Sequence, residues 1–144
     1  MRSLQLSTLV LIIIILTCTF SCSKPGNNPN TDSTAGKGGS ANVTMDLKHH
    51  SVAHNLIKCT VYVKYNTSDA PSNGVYDDSV TATDADTMQT ALFPGLKNGN
   101  YYFYGRGCDT SLFQQVTGGI PFTVSNQAAQ SYVLPVSENG IHCN

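Results

Sequence analysis

The residues of this chain best suited to chemistry are histidines, aspartates, tyrosines and cysteines, and they fall into separate groups. His49, His50 and His54 lie close together. Imidazoles bind zinc and copper. Adjacent residues on a strand point to opposite faces, so His49 and His50 are expected to diverge as exposed turn histidines, with no metal centre. Asp77, Asp78, Asp84 and Asp86 form the densest acidic group. Oxygen-rich loops hold Ca²⁺, but this spacing is not that of a calcium hand, and Asp is an ordinary turn former. The residues leave calcium open and call for no cofactor. Tyr62, Tyr102 and Tyr104 alternate with apolar residues and are expected on outward faces. There they could stack on a sugar or pack against a partner, although cross-strand packing is the commoner explanation for such residues. No Gly-x-Ser-x-Gly elbow is present. Gly105-Arg106-Gly107 and Gly118-Gly119 have no following helical pattern, so they are not phosphate loops.

The cysteines add a structural chemistry. Of Cys18, Cys22, Cys59, Cys108 and Cys143, Cys59 falls on the inward phase of a strand and suits a small buried hydrophobe. Cys108 follows an aromatic strand into loop sequence. Cys143 lies on a tail where little but Ile141 is apolar. In an oxidising compartment this predicts a Cys108–Cys143 bridge.

The elements that must position these groups read as strands. Val43–Leu47 alternates apolar and polar residues, with Val43, Met45 and Leu47 inward. Leu56–Asn66 does so more strongly: Ile57, Cys59, Val61, Val63 and Tyr65 take one face, Lys58, Thr60, Tyr62 and Lys64 the other. Asp69–Gly74 is a turn cluster. Val75–Thr83 is a strand, Asp84–Asp86 a turn, and Met88–Phe93 the returning strand. Pro94–Asn100 makes a tight connection into the aromatic strand Tyr101–Gly105. Phe122–Val124 and Ser131–Val136 complete the set. No window of helical length shows a 3.6-residue period. About seven short strands at regular spacing predict an all-β, two-sheet Greek-key sandwich, with Val61, Val63, Leu92, Tyr101 and Phe103 in its core.

The N-terminus says where the chain belongs. Arg2 precedes the unbroken apolar run Leu9–Leu16, and the segment ends in Thr19-Phe20-Ser21-Cys22-Ser23. Charge, short apolar core and small residue are the layout of a secretory signal. The run falls short of the roughly 20 apolar residues that cross a bilayer. With Cys22 directly after Ser21, the segment resembles a bacterial lipoprotein signal, in the relaxed form of Bacteroidota-type bacteria, because Thr19 stands where leucine is usual. The resemblance implies cleavage before Cys22, acylation of Cys22 and export to the cell envelope, with the outer membrane as the expected site. An ordinary signal peptide cut near Cys18 or Ser21 is the alternative. Residues 1–21 are then the signal, and 22–40, rich in Gly, Asn, Ser and Thr, a flexible tether. The folded domain is 41–144, within the usual size of one domain. Arg2 leaves with the signal, so seven of the eight Lys and Arg face nine Asp and Glu. They are scattered, which excludes the concentrated basic face of a nucleic-acid binder.

Asp78–Asp86, then Ala91-Leu92-Phe93-Pro94-Gly95-Leu96-Lys97-Asn98-Gly99-Asn100-Tyr101 and the strand through Gly105, resemble a carboxypeptidase-regulatory-like, or prealbumin-like (transthyretin-like), domain. The signature is Leu96-x-x-Gly99-x-Tyr101, and the likeness spans roughly residues 41–136. The first hairpin departs from it, with His50-Ser51-Val52 where the family commonly has Gly-x-Pro. The resemblance implies an accessory β-sandwich on an envelope protein and no active site. Hydroxyisourate hydrolases of the wider group share only the fold, and their C-terminal Tyr-Arg-Gly-Ser is absent here. The expected function is a non-enzymatic, surface-anchored module with a structural or binding role. A carbohydrate- or ligand-binding component of an uptake system is the alternative, with an envelope protein or glycan as partner. A small hydrolase would need His, Asp or Cys convergent in a pocket.

Overall fold

Alternation with a period of two organises nearly the whole folded chain. The structure, a computed structural model, describes residues 34–52, 55–85 and 88–143. The signal segment, Cys22 and the first part of the tether lie outside the described residues, as do His54 and Asp86. Eight strands form: β1 (Lys37–His49), β2 (Leu56–Tyr65), β3 (Asp78–Thr81), β4 (Thr83–Ala85), β5 (Met88–Leu96), β6 (Gly99–Asp109), β7 (Gln114–Val124) and β8 (Ala129–His142). No helix is present among the described residues.

The strands make one mixed sheet in the order β3-β2-β6-β7-β8-β1-β5-β4. Among the described residues its only parallel pair is β1 with β8. The two edge strands, β3 and β4, are separated in sequence by Ala82 alone, whose N–H donates to the Cys59 carbonyl at 2.9 Å. The two edges of the sheet therefore meet, and the sheet nearly closes into a barrel. Closure of this kind shields edges that would otherwise pair with other chains. The all-β expectation holds at that level. Eight strands in one continuous sheet stand where about seven in two sheets were expected, and the reason is β8. Its first half, to Val136, pairs with β1, and its second half, from Ser137, pairs with β7. A strand that changes partners in this way makes the corner between two layers.

Several boundaries move. Lys37–Ser40, expected in the tether, are strand, and Ala35 is buried. Sheet pairing needs only backbone, so a polar, glycine-rich sequence suffices. Gly39 is required there, since a Cβ would meet the Leu96 carbonyl oxygen at 2.2 Å. Asp84 and Ala85 belong to β4, not to a turn, while the strand expected from Val75 begins only at Asp78. β7 runs through Gly118, Gly119 and Pro121.

Inside, Phe93 and Phe103 meet edge to face at 5.1 Å, and Phe103 touches Tyr101 and Phe122 at 6.1 and 5.8 Å. Val61, Val63, Tyr101 and Phe103 are fully buried. Leu92 is 49% exposed, contrary to expectation, because Ala91 and Phe93 hold the inward phase of β5. Ile57 is also turned out, at 42% exposure. A bulge between Ile57 and Thr60, with Lys58 at φ 51°, reverses the phase there and puts Leu56 inside. Tyr101 does more than fill space. Its hydroxyl donates to the Lys97 carbonyl at 2.7 Å and accepts from the Gly36 N–H at 2.9 Å. It thereby pins the β5–β6 turn and the start of β1 together, and satisfies a polar atom that burial would otherwise leave costly.

Candidate functional site

Two groups of side chains stand out from the frame. The first lies on the outer face of β2 and β6. Alternation along these strands places Thr60, Tyr62 and Lys64 opposite Arg106, Tyr104 and Tyr102. Tyr62 and Tyr104 are cross-strand partners with ring centroids 6.2 Å apart. A third ring, Tyr76, comes from the loop between β2 and β3, 5.5 Å from Tyr62 and stacked on Tyr104 at 5.6 Å. Its position is fixed by the next residue. The Asp77 N–H donates to the Val63 carbonyl at 2.9 Å. The Asp77 carboxylate accepts from Lys64 Nζ and from the Tyr65 N–H, each at 2.7 Å. Partial burial works to raise the Asp77 carboxyl, but these bonds and the Lys64 charge outweigh it and hold it below the usual value. Burial, with Tyr102 and Tyr104 nearby, pushes the Tyr76 phenol up.

Three open depressions share Tyr62. One of ≈ 360 Å³ runs toward Arg106, Gln115, His142 and the Cys108–Cys143 pair. One of ≈ 300 Å³ lies among Tyr76, Tyr104, Arg106 and Gln115, and one of ≈ 440 Å³ lies beside Asp77 and Ser79. With its amide oxygen turned to Arg106, Gln115 accepts from Nη2 at 2.7 Å and Nε at 2.9 Å. Tyr102 shares the face, but its ring crosses β7: a Cβ on Gly119 would meet the Tyr102 hydroxyl at 2.3 Å. The glycine thus makes room for the tyrosine. Cys108 and Cys143 form a disulfide with Cα atoms 5.9 Å apart, and Cys59 is free and buried. Burial raises the Cys59 thiol to about 11, which keeps it a protonated thiol rather than a nucleophile. Sequence reasoning named Tyr62, Tyr102 and Tyr104 and missed Tyr76, because that residue reads as part of a strand from Val75.

The second group sits at one end of the barrel, where β1, β6 and β8 converge. His49 ends β1, Asp109 ends β6, and Glu138 lies two positions past the point where β8 leaves β1 for β7. His49 is 4% exposed. Its Nδ1 is 2.7 Å from Asp109 Oδ2. Its Nε2 faces Glu138 Oε2 at 3.2 Å but is not aligned for a hydrogen bond and has no hydrogen-bond partner. The exposed His50 reaches the other oxygen of Glu138 at 3.0 Å. The two imidazoles, expected on opposite faces, are 4.2 Å apart. Backbone explains the correction. His49 and Val52 exchange two hydrogen bonds, at 2.9 and 2.8 Å, around a two-residue turn in which His50 and Ser51 both have positive φ, 47° and 66°. Such a turn ends strand alternation. His49 is therefore interior, not an exposed turn histidine.

The electrostatics of this end are coupled. Burial acts to lower the His49 imidazole, but Asp109 and Glu138 outweigh it and hold it above its ordinary value. Burial acts to raise Asp109, yet bonds from Ser111, His49 and the Ser111 and Leu112 N–H groups bring it down to about 2. Glu138 is likewise brought to about 2, by its own backbone N–H and then by His50 and His49. The acidic group named in sequence does not gather in the same way: Asp77 is paired to Lys64 and Asp78 to Lys37, each at 2.7 Å, and Asp84 lies on β4. No protein-family model, curated protein or solved structure matches this chain, so its function must be argued from these two groups of side chains.

Proposed function

We propose that this chain is a non-enzymatic, lipid-anchored binding module of the bacterial cell envelope, which takes its ligand across the Tyr62–Tyr76–Tyr104 face. The observation that carries the reading is three tyrosine rings with centroids 5.5–6.2 Å apart, next to Arg106 and Gln115, over the antiparallel pair β2 and β6. Enclosed small-molecule sites are concave and bury most of their ligand. This face is open, so it suits a ligand that lies along it, offering ring faces for stacking and hydroxyl, guanidinium and amide groups for polar contacts. A carbohydrate chain has that chemistry. The prealbumin-like, two-sheet description of the domain belongs to the same proposal, supported by the Leu96–Tyr101 segment and its buried tyrosine hydroxyl. So does anchoring through acylated Cys22, supported by the apolar run and the polar segment after it.

A panel of envelope-type oligosaccharides titrated against the purified chain tests the ligand. The expected result is saturable binding that Tyr62→Ala and Tyr76→Ala each weaken about tenfold, equivalent to about 1.4 kcal/mol. Lack of any glycan binding, or binding indifferent to both changes, removes the carbohydrate reading. Anchoring is tested by intact mass and fractionation: acyl chains on Cys22 are expected, and Cys22→Ala should leave the membrane fraction or stall in processing.

A further inference from the structure

The histidine end of the barrel is used by nothing in the proposal above. His49, His50 and Glu138 offer ligand atoms that all lie within 4.8 Å of one another. We propose that these three residues form a zinc site, with Asp109 as the residue that orients His49.

Four observations support it. First, the donor set is right. Two imidazoles and one carboxylate are a known zinc combination that leaves a fourth position open for water or another ligand. Second, the spacing is right. With metal–ligand bonds of about 2.0–2.2 Å, ligand atoms of a tetrahedral site stand about 3.3 Å apart. One atom from each residue lies within 4.8 Å of the others, and Glu138 turns one oxygen to each imidazole, Oε2 at 3.2 Å from His49 Nε2 and Oε1 at 3.0 Å from His50 Nε2, close to that spacing. Third, His49 Nε2, on a side chain only 4% exposed, faces the cluster and meets Glu138 Oε2 at 3.2 Å without an aligned hydrogen bond. A metal ion between them would give this buried nitrogen the directed bond that the misaligned carboxylate does not. Fourth, the support is built. Asp109 Oδ2 holds His49 Nδ1 at 2.7 Å. Its other oxygen accepts from Ser111 Oγ and from the Ser111 and Leu112 N–H groups. A metal-binding histidine commonly gives its second nitrogen to a carboxylate that is itself hydrogen-bonded, which fixes ring orientation and tautomer.

The site would also serve the fold. His49 opens the turn after β1 and His50 is one of its two central residues, and Glu138 lies on the half of β8 that pairs with β7. A shared ion ties the two, and it compensates a turn whose two central residues are held at positive φ without glycine. Each imidazole coordinates through a nitrogen that carries no proton, and any proton there is released to solvent on binding.

The test uses the full-length chain, purified without a polyhistidine tag and treated with chelator, then titrated with Zn²⁺ against a competing chromophoric chelator. One equivalent per chain is expected. His50→Ala and Glu138→Gln should each weaken binding at least tenfold, and Asp109→Asn by about 10–100-fold. Zn²⁺ should raise the melting midpoint of the natural chain above its own metal-free value, and should not raise that of His50→Ala above its own. No saturable binding would overturn the proposal. So would one equivalent of binding that neither His50→Ala nor Glu138→Gln alters, since the ion would then sit elsewhere.

Discussion

The tyrosine face and the histidine end are built in different ways from the same strands. Tyr62, Tyr102 and Tyr104 occupy the outward phase of β2 and β6, and their nearness follows from register alone. His49, Asp109 and Glu138 come from the ends or joints of three strands, and their nearness follows from where those strands stop, turn or change partner. A surface made by alternation is broad, open and tolerant, because each side chain can be changed without moving the backbone. A cluster made by chain ends is small, partly buried and interdependent, because each member fixes another. The first suits a variable ligand lying on a face. The second suits a single ion.

Changes to the shared frame should damage both regions most. Phe103→Ala removes the ring that contacts Phe93, Tyr101 and Phe122 beneath the tyrosine face. It should cost about 3–5 kcal/mol, as deletion of a large buried aromatic does. Chemical denaturation reads this, and an unchanged midpoint would mean the two regions do not rest on one core. Asp109→Ala should act on the histidine end alone. Removing one partner of a buried ion pair costs about 3–5 kcal/mol, and glycan binding at the tyrosine face should survive in the fraction that stays folded. Loss of glycan binding in proportion to His49 displacement would erase the distinction between the regions.

The bridge between Cys108 and Cys143 borders the tyrosine face and closes a separation of 35 residues. Cys143→Ser should cost about 2–4 kcal/mol, chiefly by freeing the unfolded chain, and should loosen the tail around the Arg106 depression. Hydrogen exchange would show faster opening at Ile141–Cys143 than at Tyr62. The smallest effect is expected at Asp77, whose ion pair with Lys64 is half-exposed and worth at most about 1 kcal/mol. The folded carboxyl lies below its ordinary value of 3.8, so its contribution is complete above that value and fades as the pH falls through the folded one. The stability gap between the natural chain and Asp77→Asn should therefore be constant at neutral pH and close under strong acid. A gap that widened on acidification would mean Asp77 does not anchor the Tyr76 loop through its charge.

Most strands are legible because alternation survives in the residues themselves. Val43, Met45 and Leu47 on β1, and Val61 and Val63 on β2, take the side their period indicates. Where legibility fails, backbone geometry has intervened. Ile57 leaves its expected face because Lys58 adopts a positive φ in a bulge. His50 turns toward His49 for a related reason. Lys37–Ser40 look like linker because their composition carries no period, yet their backbone extends β1 beside β5.

The amino-acid sequence by itself determined the all-β class, the inward sets of the central strands and the outward tyrosines, because side-chain alternation is a local property that each strand carries alone. It also placed the apolar N-terminal run, whose meaning depends on order and length. Tertiary structure alone decided that β8 pairs on both sides, that edge strands β3 and β4 meet at Ala82, that Tyr76 folds onto Tyr104, and that Glu138 stands between two histidines some ninety positions earlier, His50 being 88 away. These are contacts between segments distant in the chain. They depend on where strands end and how their backbones pair, and backbone hydrogen bonds have no residue type to announce them.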